Sequence, residues 1–67
     1  MNIKLEIEKT DYEVKSVEYR LNFELKKGAF SLIDSALLSL NELKDFIENL
    51  EQETVRLKKF VNELDED

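Results

Sequence analysis

The sequence predicts an α+β fold: an N-terminal antiparallel β-hairpin over residues 1–27, then one long α-helix over 31–64 through which the chain self-associates. Three observations carry this. Apolar and polar residues alternate through the first 27 positions, the only glycine stands at position 28, and from Leu32 onward apolar residues recur every seven. Alternation marks a half-buried strand, and a seven-residue period marks a helix with one apolar seam.

The first strand is read from Ile3, Leu5 and Ile7, which alternate with Lys4, Glu6 and Glu8. A stronger second run sets Val17, Tyr19, Leu21, Phe23 and Leu25 against Glu18, Arg20, Asn22 and Glu24. Between them Tyr12 and Val14 fall on even positions, so the phase slips twice. A turn around Lys9–Asp11 accounts for the first slip. A bulge or second turn near Lys15–Ser16 accounts for the other, because an inserted residue swaps the faces of a strand. The turn has no Asn-Gly or Asp-Gly pair to set its register. The second strand outruns the first, which leaves edge groups for another subunit.

Lys26-Lys27-Gly28 ends the alternation, and Gly28 supplies the backbone angle at the joint. Ser31 is then read as the helix N-cap, with Asp34 completing a pattern like a capping box. Setting Ile33, Leu40, Ile47, Thr54 and Val61 at heptad position a places Ala36, Leu43, Leu50, Leu57 and Leu64 at d. Only Thr54 breaks the apolar series, and no proline or glycine interrupts it. Such a helix is about 50 Å long, more than a hairpin covers. Leu32, Leu37 and Leu38 widen the apolar surface of its first half, as suits a segment between its own sheet and a partner. In the second half Phe46, Val55 and Phe60 stand within a charged surface. The expected oligomer interface is Ile33, Leu40, Leu43, Ile47, Leu50, Leu57, Val61 and Leu64. β-branched residues at a with Leu at d favour a parallel dimer. An antiparallel pair, or a helix hairpin folding back near Glu51–Thr54, fits the same spacing.

Composition bounds the function. Sixty-seven residues make one small domain, ending in an acidic tail at 65–67, and exclude a multidomain enzyme. Histidine, cysteine, proline and tryptophan are absent. There is then no thiol nucleophile, no disulfide and no ordinary zinc, haem or iron–sulfur ligand set, so neither a metal nor a cofactor is expected. Apolar runs of at most three residues cannot span a bilayer, and no secretory pattern opens the chain, so the expectation is a cytoplasmic protein. A domain this small buries only about 60% of its unfolded surface, which makes self-association the expected source of stability.

The ten bases and sixteen acids give a net charge of −6, all of it arising after residue 30. A surface of that sign repels phosphate backbones and anionic lipid, so nucleic acid and membrane are not expected partners. Glu42, Asp45, Glu48 and Glu51 wind along one helix surface and read as a solvated face, without the loop ligands of a calcium site. Ser16, Ser31, Ser35 and Ser39 have no histidine to act as base, so an enzyme is not expected. The basic group Arg56, Lys58 and Lys59 faces acids one turn away and reads as ion pairing. A partner-facing surface is expected around Glu42, Asp45, Phe46, Glu48 and Glu53, one aromatic anchor in a charged rim.

The expected function is a non-enzymatic interaction module, a small acidic homo-oligomer that docks on a larger protein and inhibits or regulates it. The alternative is an acidic mimic of nucleic acid that blocks the basic groove of a nuclease or DNA-binding protein. In general character the chain is similar to small bacterial or phage-encoded interaction proteins. A strand-then-helix layout also resembles ribbon–helix–helix DNA binders, but those carry basic ribbons and these strands are charge-neutral.

Overall fold

β1 (Asn2–Lys9) and β2 (Tyr19–Lys27) pair antiparallel, and a third strand, β3 (Phe30–Leu38), joins the free side of β2 before the chain enters the helix α1 (Leu40–Asp65). The computed structural model describes residues 1–66, so Asp67 of the acidic tail lies outside the described residues. The sheet has the order β1-β2-β3, with β2 in the centre.

The β1–β2 ladder runs unbroken from Asn2↔Lys26 to Lys9↔Tyr19, so β2 carries no bulge. Both phase slips fall instead in the connection 10–18. Thr10 closes this loop: its backbone N–H donates to the Glu18 carbonyl at 2.9 Å and its hydroxyl to the Val17 carbonyl at 2.9 Å. A single 3-10 turn at Lys15–Val17 takes up the extra residues, which leaves Tyr12 and Val14 exposed. A closed loop can absorb an odd residue without disturbing the pleat on either side.

The predicted helix start at residue 31 is corrected, because 30–38 is a strand. Its sequence satisfies two periods. Leu32, Ile33, Ala36 and Leu37 have helical spacing, while Phe30, Leu32, Ala36 and Leu38 alternate, with Asp34 interrupting the series. The neighbour decides. β2 is apolar along a whole face and has a second edge to fill, and the ladder from Tyr19↔Leu38 to Lys27↔Phe30 fills it. Local propensity yields to pairing of that kind. Gly28 sits at φ 55° in the two-residue turn between the strands, and no other described residue has positive φ. That is the pattern of a type II′ hairpin turn, which puts glycine first. Ser31 therefore caps nothing.

The helix begins where a stronger cap stands. The Glu42 backbone N–H donates to the Ser39 hydroxyl at 3.2 Å, and the Ser39 backbone N–H donates to the Glu42 carboxylate at 3.0 Å. This is a complete capping box. From there α1 continues without a break past Glu51–Thr54, which removes the helix-hairpin alternative. Thr54 donates its hydroxyl to the Leu50 carbonyl at 2.7 Å, so its polar atom is already satisfied within the helix.

The helix does not lie across its own sheet. The molecule measures 53 × 29 × 10 Å. Its radius of gyration is 15.3 Å, against about 11 Å for a compact domain of this length. No helix among the described residues is long and apolar enough to cross a membrane.

Candidate interaction surface

Residues directly opposite in a ladder share a face of the sheet. The registers put Ile3, Leu5 and Ile7 opposite Leu25, Phe23 and Leu21, and they put Leu32, Ala36 and Leu38 opposite Leu25, Leu21 and Tyr19. One face is thus apolar across all three strands, with Phe30 extending it beside the turn. Asp34, opposite Phe23, is the acid set into it. Much of this face is open to water, although Leu21 is buried on it and Tyr19, Phe23, Leu25 and Leu38 are half-buried. Ile3 is 60% exposed, and Leu5, Ile7, Phe30 and Leu32 are exposed as well. Among the described residues only Leu21 and Leu43 are buried.

The helix carries a second apolar surface. Leu40, Ile47, Leu50, Leu57, Val61 and Leu64 are all exposed, and Leu43 is the one seam residue buried. Phe46 and Phe60, both at heptad position g, border the seam on one side; Phe46 is half-buried and Phe60 is 54% exposed. Ile33, placed in the helix seam by its spacing, instead lies on β3 opposite Glu24, on the polar face of the sheet. It is therefore separated from the seven helical seam residues.

The residues expected to face a partner all lie on α1 in rows that adjoin around it, Phe46 standing one turn on from Glu42. On a helix starting at Leu40, Glu42, Asp45 and Glu48 occupy positions c, f and b, away from the seam, whereas Phe46 and Glu53 occupy g at its border. Glu53 accepts from Arg56 at 2.7 Å, an exposed pair one turn apart that matches the pairing expected of the basic group.

The polar face of the sheet is held by ions. Lys4 meets Glu6 at 3.0 Å, Lys26 meets Glu24 at 2.8 Å and Arg20 meets Glu8 at 3.7 Å, with Asn22 donating to Glu8 at 3.0 Å. Hydrogen bonding to Glu6, with its charge, raises the Lys4 amine above its ordinary value. Lys26 acts likewise on Glu24, holding its carboxyl below the usual carboxylate range. These pairs are exposed and contribute little to stability. Among the described residues no group of three acidic side chains is placed to hold a metal ion.

The largely open sheet face is the feature that sequence reasoning missed. Its alternation was legible in β1 and β2, but a helix read as starting at residue 31 appeared available to cover it. The signals that correct this are the Ser39–Glu42 capping pattern and the Lys27–Phe30 turn around Gly28. No family model matches the chain, and no curated protein or solved structure proves similar to it.

Proposed function

We propose that the protein is a non-enzymatic interaction module: an acidic homo-oligomer that docks on a larger protein and inhibits or regulates it. One observation carries this reading. With only Leu21 and Leu43 buried among the described residues, an apolar sheet face and an apolar helix stripe are left largely open to water. Soluble monomers rarely expose contiguous apolar patches beyond a few hundred Å², and larger ones mark interaction sites. Self-association through Leu40, Leu43, Ile47, Leu50, Leu57, Val61 and Leu64 hides the stripe, while the outward helix face with Glu42, Asp45 and Glu48 stays free for a partner. Sedimentation at tens of micromolar tests the first step, with a dimer expected and a folded monomer refuting it.

The outward position of those three acids also supports the second reading, mimicry of nucleic acid toward a basic groove. A salt series on a captured partner separates the two, because affinity built on charge collapses with added salt and apolar docking does not.

A further inference from the structure

We infer that the apolar sheet face is covered by the helix of a second copy, each protomer laying α1 across β1, β2 and β3 of the other. This rests on the self-association proposed above and specifies its geometry.

Surface area sets the size of what is missing. The chain exposes 5958 Å², whereas a folded monomer of its 7.9 kDa exposes about 4,400 Å². The excess is about 1,500 Å² per chain. Hiding it in a dimer buries about 3,000 Å² in total, inside the range of obligate homodimers at roughly 2,000–5,000 Å². A two-helix coiled coil alone leaves both sheet faces wet, so the occupant must reach the sheet.

Shape says that the occupant comes from outside the chain. Packed layers sit about 10 Å apart before their own thickness is added, yet the molecule's smallest dimension is 10 Å in all. Sheet and helix therefore share one layer, and the second layer that a sheet face requires has to be supplied by another molecule.

The helix has the dimensions and chemistry of that layer. A helix is about 10 Å across, which spans three strands spaced about 4.8 Å apart. Its 26 residues make it about 39 Å long, enough to cross strands of eight or nine residues end to end. Its apolar stripe is wider than a coiled-coil seam, because Phe46 and Phe60 add position g to a and d. An a/d/g stripe belongs to helices lying on a broad core, and a strict a/d stripe to paired helices. Charge agrees. Leu40–Asp65 carries seven acids against four bases, while the charges on the sheet face to be covered are Lys9 and Lys27 against Asp34. Helix on sheet joins opposite net charges, whereas helix on helix joins like ones. A two-fold axis makes the exchange reciprocal, so each copy gives one helix and receives one.

Isotope-filtered NOE spectroscopy tests this on dimers co-refolded from ¹³C-labelled and unlabelled chains. The expected intermolecular contacts run from Leu57 and Val61 methyls of one copy to Leu5, Ile7 and Leu32 methyls of the other. Contacts only from helix to helix or strand to strand overturn the inference and leave self-association standing; a monomer overturns both. The variant Phe60→Glu gives an independent reading. Position g of a two-helix coil accepts charge readily, but a helix seated on a sheet buries it. Helix exchange therefore predicts at least a hundredfold weaker dimer, and an unchanged dissociation constant refutes it.

Discussion

At the scale of single residues, the join between sheet and helix is made by Ser39 and Glu42. Their reciprocal bonds satisfy two backbone donors that a helix start leaves open. Ser39→Ala should lower stability by about 1 kcal/mol, read as a lower melting temperature. Hydrogen bonds from Ser39, chiefly from its backbone N–H, hold the Glu42 carboxyl below its ordinary value. A depressed acid stabilises the fold above its unfolded pKa, and this contribution fades as pH falls through the lower folded value. Melting curves of the native chain and Glu42→Gln should therefore differ at neutral pH and converge in the acid range below the ordinary glutamate pKa. A constant difference across that range contradicts the assignment. At Gly28, which has positive φ, Gly28→Ala should cost about 1 kcal/mol of stability from backbone strain alone, since a Cβ there meets no neighbour.

At the scale of elements, β3 is an edge strand that places Asp34 on the apolar face opposite Phe23. An inward-pointing charge is one way an edge is kept from pairing with other chains. The same residue hides the strand from a reader of the sequence, because it breaks the apolar alternation at its midpoint and leaves Leu32, Ile33, Ala36 and Leu37 looking helical. Asp34→Leu should restore the alternation and cause aggregation, seen as light scattering at concentrations where the native chain stays clear. An equally clear solution would remove the guarding role.

At the scale of the whole molecule, sheet and helix lie in one layer, 10 Å in its smallest dimension. Leu50 shows why this matters. It is 39% exposed in the isolated chain, and substitutions at such open positions change monomer stability by about 0.5 kcal/mol or less. In the proposed assembly it is central to the seam, where a buried charge is costly. Leu50→Asp should dissociate or unfold the protein, while Glu51→Ala, its neighbour on the polar side, should leave sedimentation and melting unchanged. Equal behaviour of the two variants would mean that the seam is not an interface. Excess chelator should leave the circular dichroism and melting temperature as they are; a fall of several degrees would point to a bound ion.

By itself the sequence determined the α+β class, the antiparallel pairing of the first two strands, the single long C-terminal helix and the exclusion of thiol and histidine chemistry. These follow from period, length and composition, which are local properties. It also held a signal for the helix start that the reading from residue 31 passed over, since Ser39 with Glu42 three positions later is a complete cap and Ser31 with Asp34 only resembles one. Tertiary structure alone decided that residues 30–38 join the sheet, because their apolar spacing fits two periods and only the open edge of β2 chooses between them. It likewise decided that Ile33 stands on the sheet opposite Glu24, apart from the helix seam. Both follow from where one element stops and the next begins. Moving that boundary to Ser39 leaves much of the surface that a helix from residue 31 would have covered open to water.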